Sequence, residues 1–249
     1  MQDVSLEKLV ETGAHFGHQV RRWNPRMKPY LYGEEGGVHI FDLIKTKKCL
    51  DEALEVLQKA SKEGKKILIV GTKKQAKEKV KEIAIEAGVF YVNERWLGGT
   101  LTNFDQLRLS TQKLTDMEKK YAEGYYNKYT KKEGLLIERE IARLNRFFAG
   151  VKNLLAIPDL IIIIDTKKEK GAVREAANKA VETVGLIDSN SDPDVVDWPI
   201  PMNDDATKAI EYVLDLFKEA IMEGRGIKSS TSETGSTGEK SVTSVKKSA

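Results

Sequence analysis

Apolar residues in this chain follow two spacings, and the change from one to the other marks out its elements. Ile67 to Val70 is a run of four apolar residues bounded by lysines and Gly71, which reads as a short strand buried on both faces. Leu160 to Ile164 repeats the pattern, Val38 to Leu43 alternates like a half-buried strand, and Val89–Val92 and Thr183–Ile187 are further β-rich runs. Between them, steps of three and four predict helices. These are Ser5 to Thr12 with Leu6, Leu9 and Val10 on one face, Thr46 to about Ser61, a helix entered from Thr72, and Ala172 to Ala180. Asp204-Asp205-Ala206 opens a last helix, with Asn203 or Asp204 as its cap, which carries Ile210, Val213, Leu214, Phe217 and Ile221 and stops at Gly224. Trp198-Pro199-Ile200-Pro201 cannot be an interior strand, because proline has no N–H for the ladder.

From Phe104 to Leu155 the strand signals disappear. Phe104, Leu107, Leu114, Met117 and Tyr121 fall at helical steps, and Ile137, Ile141, Leu144, Phe148, Val151 and Leu155 follow at steps of four and three. Each arm carries a heptad seam, and Gly124 to Gly134 separates them, so an antiparallel helical hairpin is expected. Beyond Lys228 almost nothing is apolar, and such a segment cannot bury enough surface to offset its ordering entropy. The expected organisation is one α/β domain over residues 1–228, with residues 103–155 inserted as the hairpin, and a disordered polar tail over 229–249.

Length and composition narrow the class. A chain of 249 residues with 40% hydrophobic content supports a real core. Charged residues make up 32%, yet the net charge is only +3, so distribution matters more than total. Glu182 to Asp205 holds seven acids and no Lys or Arg, whereas Lys62 to Lys81 holds eight lysines and two glutamates, which predicts a basic end and an acidic end. The single cysteine, Cys49, fits a reducing compartment and a core or boundary thiol. Without an N-terminal apolar signal segment or an 18-residue apolar run, a soluble cytoplasmic protein is expected, with no membrane partner.

Candidate chemistry concentrates in a few stretches. Thr-Lys-Lys occurs at Thr46, Thr72, Thr130 and Thr166, each at a predicted helix start where lysine gains most if an anion such as phosphate sits at that end. Chance repetition in a Lys-rich chain is the competing reading. Residues 15–30 mix cations, aromatics and two prolines without helical or strand periodicity. Such a surface contacts phosphates while stacking on bases, or else packs Trp23 and Tyr30 into its own domain. Arg95-Trp96 repeats the Arg22-Trp23 pairing, and Gly98-Gly99 permits a close backbone approach without forming a nucleotide fingerprint. His15 and His18 form half a metal site at most, and clustered Asp188, Asp192, Asp204 and Asp205 suit either a hard divalent ion or caps and turns.

Five strings then carry a resemblance: Gly-Ala-His-Phe-Gly-His-Gln (13–19), Arg-Arg-Trp-Asn-Pro-Arg-Met-Lys-Pro-Tyr (21–30), Val-Gly-Thr-Lys-Lys-Gln-Ala (70–76), Val-Asn-Glu-Arg-Trp-Leu-Gly-Gly-Thr-Leu-Thr-Asn-Phe (92–104) and Pro-Ile-Pro-Met-Asn-Asp-Asp-Ala (199–206). Together they resemble the bacterial small-ribosomal-subunit protein S-two family over roughly residues 4–226. The resemblance implies a flavodoxin-like α/β fold, a three-layer parallel sheet with an inserted antiparallel coiled-coil helical hairpin. It also implies binding to small-subunit ribosomal RNA between head and body, alongside other small-subunit proteins, and a part in holding ribosomal protein S-one. By motif it marks Arg21, Arg22, Trp23, Asn24, Lys28, Lys73, Lys74, Arg95 and Trp96 as RNA-facing or RNA-adjacent. Thr183 and Asp188-Ser189-Asn190 depart from the family's usual Pro and Asp-Thr-Asn, which affects only a strand boundary.

Two function classes compete. One is an RNA-bound structural protein without catalysis, cofactor, metal or small-molecule substrate. The other is a flavodoxin-like enzyme or regulator holding a phosphorylated ligand at Gly71-Thr72 or Gly98-Gly99. No paired nucleophile and base, complete metal cluster or complete phosphate loop appears in the sequence, so the first is preferred.

Overall fold

A computed structural model describes residues 4–227; the predicted polar tail over 229–249 lies outside the described residues. Helix α1 (Leu6–Glu11) is capped by the Ser5 hydroxyl, which accepts from the Lys8 amide. Leu9 is fully buried, whereas Leu6 and Val10 are exposed, so only one residue of the expected apolar face enters the core. Strands β1 (Phe16–Gln19), β2 (Leu31–Glu35) and β3 (Val38–Phe41) form an antiparallel sheet in the order β1-β3-β2. Neither β1 nor β2 was legible, because most of their side chains are exposed and leave no apolar alternation.

Helix α2 (Leu43–Lys62) leads into the main sheet. Its strands are β4 (Ile67–Val70), β5 (Phe90–Val92), β6 (Leu160–Ile164), β7 (Glu182–Ile187) and β8 (Trp198–Pro201), all parallel, in the order β5-β4-β6-β7-β8. That is the flavodoxin-like order. Alternate residues of β4 and β6 serve two cores. Ile67, Ile69, Leu160, Ile162 and Ile164 face α2, α3 (Lys77–Ala87) and α7 (Thr207–Gly224), while Leu68, Val70, Ile161 and Ile163 face Leu101, Leu154 and α6 (Lys170–Asn178). Burial on both faces is why these strands read as unbroken apolar runs. Strand β8 is an edge strand, the position in a sheet that tolerates Pro199 and Pro201.

Helices α4 (Phe104–Ala122) and α5 (Lys131–Phe148) follow β5. Their contacts run in opposite senses: Tyr121 donates to Glu138 at 2.7 Å near the turn, and Asn145 donates to Glu118 at 2.7 Å further along. Leu107, Thr111, Leu114 and Leu144 are buried, and Leu107 packs into the core on the α6 side of the sheet. The seam does not reach Leu155, which is 73% exposed while Leu154 is buried. A 3-10 turn at Ala149–Val151 shifts the phase after α5. Gly150 lets that turn sit on β5, since a Cβ there would overlap the Tyr91 carbonyl oxygen.

Of the four Thr-Lys-Lys sites, only Thr130 caps a helix; it forms a capping box with Glu133. Thr46 lies inside α2, which starts three residues earlier because the Asp42 carboxylate accepts from the Ile44 and Lys45 amides. Helices α3 and α6 begin only at Lys77 and Lys170, each after a turn. Neither Asn203 nor Asp204 caps α7: the helix begins after Ala206 without a side-chain cap, and Asn203 closes the turn before it, accepting from the Asp205 and Ala206 amides. Among the described residues, no helix is long and apolar enough to cross a membrane.

Candidate nucleic-acid interface

The segment after β1 is built of two 3-10 turns, Val20–Arg22 and Pro25–Tyr30, and not of extended chain. Asn24 joins them. Its side chain accepts from the Arg26 amide at 3.1 Å, and its own amide donates to the Ser189 carbonyl at 2.8 Å. The Ser189 hydroxyl also accepts from the His18 amide at 2.7 Å, an approach that requires Gly17, where a Cβ would meet that hydroxyl at 2.8 Å. Met27 is fully buried against Phe41, Ile187 and Val196, and Trp23 lies against the His39 ring at 4.9 Å between centroids. Anchored in this way, the loop presents Arg21, Arg22 and Lys28 outward. The side chains of Arg22 and Lys28 have no ion pair or hydrogen bond among the described residues, and Arg21 reaches only the Gln19 amide oxygen at 3.3 Å.

The acids expected at a separate acidic end lie against this basic segment. Arg26 pairs with Asp192 at 2.6 Å and Asp194 at 3.5 Å. His18 donates to Asp188 at 2.9 Å and lies 3.6 Å from Asp205. The Asp188 hydrogen bond and the nearby Asp204 and Asp205 charges outweigh burial and raise the imidazole pKa above its ordinary value. Segments far apart in sequence have therefore paired opposite charges, His18 and Arg26 with Asp188, Asp205, Asp192 and Asp194.

Lys73 is the largest departure from expectation. Its side chain is 13% exposed, and its ammonium meets Asp204 at 2.6 Å, Asp205 at 2.7 Å and Asp165 at 3.1 Å. Burial acts against the charge, but these carboxylates outweigh it and raise the ammonium pKa. Asp204 is raised as well, by its own burial and the crowding of Asp188 and Asp165. The cluster fills the crevice between the C-terminal ends of β4 and β6, the switch point where an open α/β sheet would take a ligand. Thr72 donates to Glu169, and Lys168 donates to the Thr72 carbonyl at 3.0 Å. Gly71 has no spare room, since a Cβ there would stand 2.8 Å from Val80. The Thr72 hydroxyl and carbonyl are thus engaged by the protein's own side chains. Asp188, Asp192, Asp204 and Asp205 are each engaged with His18, Arg26 or Lys73, and no group of three or more metal-binding side chains is found among the described residues. Lys74, beside Lys73, is exposed.

In the 95–104 loop, Arg95 is exposed while Trp96 is 9% exposed. Glu175, on α6, holds this loop. Its Oε1 accepts from the Trp96 indole at 3.1 Å and the Gly99 amide at 2.8 Å. Its Oε2 accepts from the Leu101 and Thr102 amides at 2.9 and 3.1 Å and from the Thr102 hydroxyl at 3.2 Å. Burial pushes the carboxyl pKa up, but the Leu101, Gly99 and Thr102 amides and the indole hold it below the ordinary range. Gly99, at φ 93°, supplies the left-handed backbone this turn requires. Glu175 went unnoticed in the sequence. The available signal was an acid three residues after Ala172 and next to Ala176, on the stripe that α6 buries.

The nine motif residues therefore divide by environment. Arg21, Arg22, Lys28, Lys74 and Arg95 face outward, Trp23 and Asn24 fasten the first loop, Trp96 fastens the second, and Lys73 closes the crevice between strands. A family model described as ribosomal protein S2 matches residues 9–224. The small ribosomal subunit protein uS2 of Coprothermobacter proteolyticus is 46% identical over 225 residues, covering 90% of this chain and 84% of that relative. The protein of the same name from Acaryochloris marina is 44% identical over 225 residues, covering 90% and 76%. The protein uS2c of Guillardia theta is 44% identical over 221 residues, covering 89% and 94%.

Proposed function

Because the chain belongs to the ribosomal protein S2 family, structural and non-enzymatic components of the small ribosomal subunit, we propose that it binds small-subunit ribosomal RNA through the outward cations of its two anchored loops. One observation carries this reading. Arg21, Arg22 and Lys28 project from a loop pinned to Ser189 and the Met27 cluster, with Arg22 and Lys28 unpaired among the described residues. A rigid mount with free cations gives phosphate contacts at little ordering cost, and such contacts dominate RNA affinity. Lys74 and Arg95 extend the surface, while Asn24, Trp23, Trp96 and Lys73 hold it in shape.

The rest of the reading follows from the family resemblance. The chain sits between head and body of the subunit, works in the cytoplasm and helps to hold ribosomal protein S-one. Residues 4–227 act as one α/β unit. Helices α4 and α5 are an antiparallel coiled-coil arm inserted into it, a reading supported by burial of Leu107, Thr111 and Leu114 at steps of four and three. The test adds purified protein to small subunits depleted of it. Saturation at one copy per subunit, weakened by Arg21→Ala and Arg22→Ala, is expected. Failure to join the subunit would overturn the proposal.

A further inference from the structure

Beyond the exposed loops, the geometry points to a cleft that seats the phosphate of one nucleotide. It opens at the C-terminal edge of the main sheet, between the segments that leave β6 and β7, and has a volume of about 340 Å³. Lys167 and Lys170 line one wall with Arg174 of α6; Asn190 and Ser191 line the other. None of these three cations has an ion pair among the described residues, although many other cations of this chain are paired. The acid in the wall, Asp192, pairs with Arg26 at 2.6 Å, a guanidinium it shares with Asp194 at 3.5 Å.

A second observation is independent of charge. Thr166 lines the same cleft, is 3% exposed, and its hydroxyl is buried without a hydrogen-bond partner. Buried hydroxyls are rarely left unpaired, and this one belongs to a residue of the wall that also carries Lys167, Lys170 and Arg174. Val173 and Val195 add apolar surface to the walls, so the cleft offers a sugar or base something to rest on once the phosphate is held. Lys167 also belongs to the last Thr-Lys-Lys string, so the lysine expected to meet an anion does line an anion-suited cleft, though not by capping α6.

Two sources supply this chemistry: a nucleotide within an RNA chain and a free mononucleotide. The first rests on the RNA-binding reading, because Asn24 of the first loop also lines the cleft; the second does not. The full chain is titrated with uridine 5′-monophosphate, inorganic phosphate and uridine by calorimetry. Binding of the two phosphates but not of uridine is expected, falling with salt. Lys170→Gln and Arg174→Gln should each weaken it about tenfold or more, the loss of one charge-assisted hydrogen bond, while Lys208→Gln on distant α7 leaves it unchanged. Thr166→Val should weaken it several-fold without lowering the melting temperature, whereas a purely structural hydroxyl would give the reverse. Uridine binding as tightly as its monophosphate, or variants that bind like wild type, would overturn the cleft. Displacement of the mononucleotide by a short oligouridylate identifies the RNA chain as the source; binding without displacement identifies the free nucleotide. Loss of subunit binding with nucleotide binding intact would sink the ribosomal-RNA reading alone, and the converse result would sink the cleft alone.

Discussion

Replacing Glu175 by glutamine changes almost no volume and tests the clamp on the 95–104 loop directly. Each carboxylate oxygen faces only donors: the Trp96 indole and Gly99 amide at Oε1, and the Leu101 and Thr102 amides with the Thr102 hydroxyl at Oε2. An amide group must turn its NH2 toward one of these sets, which leaves at least two N–H donors facing another donor. A buried donor left unpaired costs about 1–3 kcal/mol. Two of them, discounted for local relaxation, give roughly 3 kcal/mol, or about 6–12 °C in melting temperature for a domain of this size. Thermal unfolding followed by circular dichroism measures the loss, and hydrogen exchange at Gly99, Leu101 and Thr102 places it. The carboxyl pKa is lowered in the fold. Its contribution is therefore complete above the ordinary value of 4.5 and lost as pH falls through the folded value. The gap between wild type and Glu175→Gln should narrow toward acid. A variant that melts with wild type at neutral pH and keeps those amides protected would refute the clamp.

Three further outcomes follow from the same structure. His18 has a raised pKa, so its ion pairs stabilise fully below its ordinary value of 6.5 and fade as pH rises through the folded value; the stability difference between wild type and His18→Gln should be larger at about pH 5.5 than at about pH 8.5. Gly150→Ala forces a Cβ onto the Tyr91 carbonyl and should destabilise by roughly 1–3 kcal/mol in denaturant unfolding, as overpacking does. Leu114→Ala, at a fully buried site on α4, should cost roughly 2–5 kcal/mol in the same assay.

How far the sequence could be read depended on the kind of interaction. Strands β4 and β6 were plain because double-sided burial writes itself as consecutive β-branched residues. Strands β1 and β2 were not, since exposed strands carry no such mark. Helix starts were misplaced at Thr46 and Thr72 because a threonine is a competent cap wherever it stands, and only the local chain decides: Asp42 captured the first start and a turn delayed the second. The 21–30 and 92–104 motifs located the two loops, but composition does not separate an outward cation from an inward one. Lys73 and Lys74 are adjacent and chemically identical, yet one is surrounded by three aspartates from two distant segments. Glu175 was hidden for the same reason, because its five donors lie more than seventy residues away in sequence.

The division of the motif cations into outward contacts and internal supports is the central claim, and the salt dependence of binding to depleted small subunits tests it most directly. Arg22→Ala and Lys73→Ala are compared with wild type, each with its melting temperature. A removed phosphate contact lowers the slope of log affinity against log salt by about one. A buried ammonium removed from three carboxylates instead destabilises by about 3 kcal/mol or more. The account predicts that Arg22→Ala flattens the slope at an unchanged melting temperature, whereas Lys73→Ala melts earlier with its slope intact. A Lys73→Ala protein that keeps its stability but loses slope, beside an Arg22→Ala protein that loses neither, would contradict it.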